Sequence, residues 1–341
     1  MRILLVKLSA LGDVIHTMPL AASLRRKFPQ AEISWLIEED AQEVLVGYDK
    51  IDRVIVSPRK SALREIRAGK ILTGIKRLAN FIKELRQENE YDVIIDAHGL
   101  FKSAVLVGFL RGKRKIGFAS LQEGSGFFYR EKIFEDMDKH AVDRYLDFAV
   151  YLGADTSNPQ FDINADVADA EKLLSNVGIA REEGFIAISP NALWETKLWD
   201  DEKFAELADM IFTRLGMKVV LTGKTAGETA GVAKFARHHL VDLGGRTKLR
   251  SLAGVFMRSR VLVSTDSGPM HLAIAVGCPV VAIFGPTNAI RTGPYGNRGI
   301  VVSQDVDCRP CLQKKCSDIA CMRKISAEDV FSGVLAALNN K

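Results

Sequence analysis

The residues best suited to chemistry stand where apolar, strand-like runs end. "KLSALGDVIHTMP", residues 7–19, follows the apolar "MRILLV" and puts a carboxylate, Asp13, at the start of a helix. "STDSGPMHLAIAVG" puts Asp266, Ser267 and Gly268 between a strand that ends at Thr265 and a helix that opens near Pro269, with His271 one turn in. "SPNALWETKLWD" carries Lys197 just past another strand, and Glu228 lies beyond the strand-like "VVLTG". Free amides at a helix end, a small Gly268 and the Ser267 hydroxyl make an anion site suited to phosphate. Proline fits that first turn, where no amide donor is needed. A lysine at a strand end can meet a diphosphate as a point charge. A glutamate there can accept two ribose hydroxyls. Asp13 has the chemistry of a general base that takes a proton from an attacking hydroxyl. A helix N-terminus favours its charged form and weakens the base, while a dry site pushes the other way.

Each residue also has a plainer reading. Asp13, Asp266 and Ser267 are good N-caps. Glu228 suits the positive end of a helix dipole. Lys197 is readable as a surface lysine, and His271 as a polar-face residue. Local physics leaves both readings open.

The elements that must position these residues follow from the pattern. "RILLVKL", "EISWLI", "DRVIV" and "YDVIIDAHG" read as strands. The helix-like "VIHTMPLAASLRRKF", residues 71–88 and "LFKSAVLVGFL" lie among them. Continuous apolar strands separated by helices predict a parallel sheet covered on both faces. After the helix "HAVDRYLDFAVYLG" the polar "ADTSNPQFDINADVADAEK" interrupts the pattern. A second series starts at "GFIAISP" and runs through "MKVVLTG", "HLVDLGG", "RVLVSTDSG" and "PVVAIFGPT". The expected organisation is an α/β chain with a first Rossmann-like domain over 1–160, a linker over 161–183, a second domain over 184–325 and a C-terminal helix over 326–341. Two such domains facing each other would leave a cleft at the carboxyl ends of both sheets.

The chain has 341 residues, 47% of them hydrophobic, and a net charge of +5, which is compatible with an anionic partner or with a solvated surface. No apolar run reaches the roughly 18 residues that span a bilayer. "MRILLVKL" lacks the cleavage pattern of a secretory signal, so a cytoplasmic protein is expected. Cys308, Cys311, Cys316 and Cys321 are spaced C-x2-C-x4-C-x4-C. In a cytosolic chain this spacing suggests a structural zinc held by four thiolates, or four reduced thiols. It also resembles a zinc knuckle, but the loop lacks aromatics that would stack on bases, so no nucleic-acid partner is expected. Cys278, between a helix and a strand, reads as a small core residue. A dinucleotide-dependent oxidoreductase is disfavoured because no G-x-G-x-x-G follows either first strand.

Taken together, "KLSALGDVIHTMP" and "TDSGPMHLAIAVGCPVVAIFGPTN" resemble the two hallmark motifs of the glycosyltransferase family 9 heptosyltransferases. "SPNALWETKLWD", "GGRTKLRSLAG" and "TGPYG" fall in the expected order between and after them. The resemblance implies a GT-B fold and inverting transfer of heptose from ADP-heptose onto the inner core of lipopolysaccharide, with no obligatory metal. It implies that Asp13 is the base and that Ser9 and Gly12 border the transferred sugar. Lys197 then meets the diphosphate, Glu228 the ribose and the main chain at Thr247 the adenine. Asp266, Ser267, Gly268 and His271 hold heptose and phosphates. Neither strand-end motif contains an Asp-x-Asp pair that would demand a metal.

"YDVIIDAHGLFKSAVL", "FYREKI" and "KHAVDRYL" are similar to the members that add the first heptose to Kdo-lipid A. That acceptor is an anionic glycolipid, which implies peripheral association with the inner face of the cytoplasmic membrane. Its carboxylates and phosphates give a use to Arg59, Lys60, Arg64 and Arg67, and to Lys102, His140 and Arg144. Gln122-Glu123 stand where those members would carry Arg-Glu. Addition of the second heptose, or transfer to another inner-core acceptor, is the alternative.

Overall fold

The computed structural model describes residues 1–120, 126–296 and 298–339. Gln122 and Glu123 lie outside the described residues. The chain divides into two compact units, 1–162 and 163–341.

The first unit contains β1 (Arg2–Val6), α1 (Leu11–Lys27), β2 (Glu32–Glu38), β3 (Arg53–Ser57), α2 (Arg59–Arg67), α3 (Ile71–Gln87), β4 (Tyr91–Asp96), α4 (Phe101–Phe109), β5 (Gly112–Phe118), β6 (Glu131–Ile133) and α5 (Ala141–Tyr151). Its six strands run in the order β3-β2-β1-β4-β5-β6, all parallel. This is the doubly wound order, in which the chain reverses direction between β1 and β4 and leaves a crevice beyond their carboxyl ends. Ile3, Leu4, Leu5 and Val6 are fully buried, as a central strand covered on both faces requires. In register, Val6 sits beside Leu36 of β2 and Asp96 of β4, so the loops after these three strands leave at one edge.

The second unit contains α6 (Val167–Asn176), β7 (Phe185–Ser189), α7 (Asp201–Leu215), β8 (Lys218–Leu221), α8 (Ala230–Phe235), β9 (Val241–Asp242), α9 (Leu249–Arg258), β10 (Val261–Thr265), α10 (Gly268–Ala275), β11 (Val280–Ile283), α11 (Ala289–Thr292), β12 (Gly299–Val302), α12 (Ala320–Arg323) and α13 (Ala327–Asn339). Its sheet order, β12-β11-β10-β7-β8-β9, repeats the first topology with the switch point between β7 and β10. Ser264 pairs with Ser189, and Thr265 with Ile283, so the loops after β7, β10 and β11 share an edge.

Two expectations change in detail. The stretch 161–183 is not a plain linker, because it contains α6. Asp166 caps that helix, its N–H donates to Arg250 O at 3.0 Å, and Arg258 pairs with Glu171 at 2.6 Å. These contacts dock α6 on α9, and its polar composition reflects its one exposed face. Helix α1 begins before the apolar periodicity does, at Leu11, so Asp13 lies within its first turn. No helix among the described residues is long and apolar enough to cross a membrane.

Candidate active site

In the first unit the site grows from the end of β1. The chain keeps pairing past the strand: Lys7 N–H donates to Leu36 O at 3.2 Å, and Glu38 N–H to Leu8 O at 3.0 Å. The fully buried Trp35 donates its indole N–H to Lys7 O at 3.2 Å. These bonds aim the Lys7 side chain inward, where it is only 3% exposed. Its ammonium donates to Ala97 O at 2.9 Å and to the Tyr145 hydroxyl at 2.5 Å. Tyr145, on α5, donates in turn to Asp13 Oδ1 at 3.2 Å. The other Asp13 oxygen accepts Ala10 N–H at 3.3 Å. Asp13 therefore caps the helix from its third position, so the plainer reading is also realised. Burial pulls the Lys7 ammonium below its ordinary range, with Asp13 and Asp96 opposing. Burial, reinforced by Asp13, pushes the Tyr145 hydroxyl well up.

At the end of β4 the buried Asp96 accepts the Tyr129 hydroxyl at 2.7 Å and the amides of His98 and Gly99 at 2.9 and 3.2 Å. Gly99 takes φ +71°, a turn that a side chain would strain. This turn fixes His98, whose ring nitrogens are both buried and find no hydrogen-bond partner among the described residues. Burial, then the charges of Lys7 and Lys102, lowers the His98 pKa from 6.5 to about 3. The native state thus holds His98 neutral, while the unfolded chain binds a proton below pH 6.5. Its stability contribution is complete above about pH 6.5 and falls away as pH drops toward 3. His98→Gln is expected to flatten the loss of stability between neutral pH and pH 4, measured as urea midpoints against pH. Curves of equal slope for both proteins would refute this.

The predicted acceptor cations divide. Arg59, Lys60 and Lys102 converge on the fully buried Glu38, at 2.5, 3.3 and 4.0 Å. Lys102 also donates to Ser9 Oγ at 3.1 Å, which ties this cluster to the loop before Asp13. Burial, together with its neighbours Arg59 and Lys60, pulls Lys102 down while Glu38 pulls it up. Arg64 and Arg67 are exposed on α2. His140 caps α5, its Nδ1 accepting Val142 N–H at 3.1 Å, and its ring meets His16 edge-on at 5.1 Å. Arg144 is buried and pairs with Glu135 at 2.8 Å.

In the second unit Lys197 and Asp266 meet at the switch point, Nζ to Oδ2 at 2.7 Å. The Thr287 hydroxyl donates to the same carboxylate oxygen at 2.6 Å. The Lys197 ammonium lies 4.6 Å from the centre of the Trp194 ring. Ser267 is the N-cap of α10, but its hydroxyl turns back toward Thr265 O at 3.3 Å and does not cap. Gly268 and Pro269 follow at the helix start, where amides lack intrahelical acceptors. His271 is buried one turn in.

Glu228 and Thr247 lie on adjoining loops. Gly245 N–H donates to Gly223 O at 3.0 Å, and Lys224 N–H to Glu228 Oε2 at 2.7 Å. Asn191 links these loops to β10: its amide donates to Glu228 O at 2.6 Å, and its carbonyl accepts the Thr265 hydroxyl at 2.9 Å. Sequence reasoning did not single out Asn191, Lys7, Tyr145, His98 or Asp96. An Asn just past a strand-end proline was the one available signal.

Burial, then the neighbouring Cys311, Cys308 and Cys316, push the Cys321 thiol up, so the four cysteines lie near one another. Cys308 and Cys316 are exposed, Cys311 half-buried and Cys321 buried. Among the described residues no three or more His, Cys, Asp or Glu side chains are arranged to hold a metal ion. Cys321 also faces the loop after β11, near Gly285. The segment is tied to the Lys197 loop by the Thr196 hydroxyl, which donates to Gln313 O at 2.7 Å. Cys278 is buried, as a core residue should be.

Two doubly wound units, one with a supported carboxylate and the other with a lysine and a helix end at the switch point, match the architecture of the GT-B fold. The family model of glycosyltransferase family 9 (heptosyltransferase) matches residues 78–320. Lipopolysaccharide heptosyltransferase 1 of Pseudomonas aeruginosa is 32% identical over 332 residues, covering 93% of this chain and 88% of the relative. A family 9 glycosyltransferase structure from Veillonella parvula superposes with TM-score 0.85 at 26% identity, over 100% of this chain and 98% of that one. The Escherichia coli heptosyltransferase WaaC with ADP-2-deoxy-2-fluoro heptose shares the fold, with TM-score 0.77 at 24% identity over 98% and 99% of the two chains. The chain belongs to glycosyltransferase family 9.

Proposed function

We propose that this enzyme transfers heptose from ADP-L-glycero-D-manno-heptose to the Kdo of Kdo-lipid A, with inversion, in lipopolysaccharide inner-core synthesis. The observation that carries this reading is the likeness to the Pseudomonas heptosyltransferase 1 across nearly the whole chain. Asp13 takes the proton of the acceptor hydroxyl. The acceptor oxygen attacks the anomeric carbon of heptose on the face opposite ADP. The carbon–oxygen bond to the diphosphate breaks, and its electron pair leaves with ADP. The anomeric carbon gains oxocarbenium character while the diphosphate gains charge.

Lys197 and the amides at the start of α10 meet that charge. Asp266 holds the ammonium in place, and Ser267, Gly268 and His271 complete the sugar and phosphate contacts. Glu228 accepts the ribose hydroxyls, and the main chain at Thr247 meets the adenine. Ser9 and Gly12 border the sugar. No step is routed through a metal. The protein works at the inner face of the cytoplasmic membrane, where the acceptor lies.

For the acceptor, Arg59, Lys60 and Lys102 receive the anionic groups, with His98 as a neutral hydrogen-bonding neighbour. Arg64 and His140 lie further out in the same role, and Arg144 supports the fold. Lys102→Ala is expected to raise the acceptor KM about tenfold and leave the donor KM unchanged, as one charge-assisted contact is lost. An unchanged acceptor KM would remove Lys102 from this role.

The deciding experiment is turnover of ADP-heptose with Kdo-lipid A, run beside an acceptor that already carries one heptose. Product from the first acceptor alone supports the reading. Product from the second alone establishes a later transfer, as by heptosyltransferase II.

A further inference from the structure

Asp13 is held by a buried chain of two side chains that the proposed chemistry does not use. Lys7, from the end of β1, donates to the Tyr145 hydroxyl at 2.5 Å, and Tyr145, from α5, donates to Asp13 Oδ1 at 3.2 Å. Ala10 N–H takes the other oxygen at 3.3 Å. We infer that Lys7 and Tyr145 are positioning residues that fix the Asp13 carboxylate and keep it ionised for proton removal. This inference rests on the reading of Asp13 as the base.

The chemistry of the chain argues for a purpose beyond packing. An ammonium that is 3% exposed is costly to bury unless anions face it. A tie between β1 and the loop after β4 needs only the bond to Ala97 O, which a neutral donor could make. A hydroxyl has one proton to donate. By accepting from the Lys7 ammonium it becomes a stronger donor to the carboxylate. Burial and the Asp13 charge keep the Tyr145 hydroxyl protonated far above neutral pH, so its direction of donation is fixed.

Several charges face this chain. His98 after β4 and Lys102 on α4 feel Asp13. Asp96, Arg144 and Glu135 act on Lys7 from behind. His98 is neutral at working pH, so Lys7 and Lys102 are the cations that favour a charged Asp13. Proton uptake by Asp13 removes one of the negative charges facing Lys7.

Tyr145→Phe tests the inference with one oxygen removed. The expected result is a kcat about tenfold or more below wild type, because the carboxylate is no longer held in one orientation toward the acceptor hydroxyl. Donor and acceptor KM should stay within about twofold, since no substrate contact changes. The acid limb of the kcat–pH profile should move to higher pH, because a bond favouring the charged carboxylate is gone. In an Asp13→Asn background the same change should lower the residual rate no further. Lys7→Met should act in the same direction; should it fail to fold, the Tyr145→Phe profile still decides. A Tyr145→Phe enzyme with wild-type kcat and an unmoved acid limb overturns the inference, as does an equal loss in both backgrounds. An Asp13→Asn enzyme that turns over at the wild-type rate overturns the base reading itself, whatever Tyr145 does.

Discussion

Replacing Asp13 is expected to cost the enzyme about a thousandfold in kcat, within the range of a lost general base. The choice of substituent matters. Asp13→Ala removes the acceptor of both the Ala10 amide and the Tyr145 hydroxyl. It also strips Lys7 of one of the charges that raise it. A stability loss of about 1–3 kcal/mol is expected from the stranded groups. Asp13→Asn keeps the shape and one accepting oxygen but cannot take a proton, so it isolates the chemistry. Asp13→Glu keeps the charge and displaces it by a methylene, a shift large enough to cost about a hundredfold. Rates with ADP-heptose and Kdo-lipid A, set beside thermal midpoints, check all three. An Asn variant that folds and turns over normally would exclude Asp13 as the base.

The second large effect is expected at Lys197. Its side chain is 16% exposed and that of Asp266 only 4%, with Nζ and Oδ2 2.7 Å apart. Lys197→Met removes the charge that meets the leaving diphosphate, and kcat/KM for the donor should fall about a hundredfold or more. The same change leaves Asp266 buried with, among the described residues, the Thr287 hydroxyl on Oδ2. Breaking a buried pair from one side costs about 3–5 kcal/mol, so the single variant will be unstable as well as slow. The double variant Lys197→Met/Asp266→Asn removes the stranded charge. It is expected to recover most of the stability and none of the rate. Calorimetric titration with ADP separates the roles: affinity should stay weak in the double variant. ADP binding at wild-type strength would show that Lys197 does not meet the diphosphate. Arginine is not an equivalent replacement, because its planar fork cannot sit as a compact charge beside both Asp266 and Trp194.

Much of the fold was legible because central parallel strands are apolar on both faces. "RILLV", "DVII", "FIAIS" and "VLVST" could hardly be anything but buried strands. Asp13, Lys197 and Asp266 were each read from the segment just past such a strand. The edges were not legible in the same way. β5, "GKRKIGF", carries three cations in seven residues. It qualifies as a strand only through its pairing with β4 and β6. α2 was read as a run of cations, whereas the structure shows a helix that brings Arg59 and Lys60 to a buried Glu38. α6 was hidden in a polar stretch because only one of its faces is buried.

The sequence by itself determined which residue types stand at the strand ends: Asp13 at the start of α1, Lys197 past β7, and Asp266 to Gly268 at the start of α10. Motif order and hydrophobic period are local properties, so a single chain can be read for them. Only the tertiary structure decided what surrounds those residues. Tyr145 lies 132 residues from Asp13, and Asp266 lies 69 from Lys197. No periodicity signals such a meeting. Packing of α1 on α5 brings the first pair together, and the parallel register that aligns the ends of β7 and β10 brings the second.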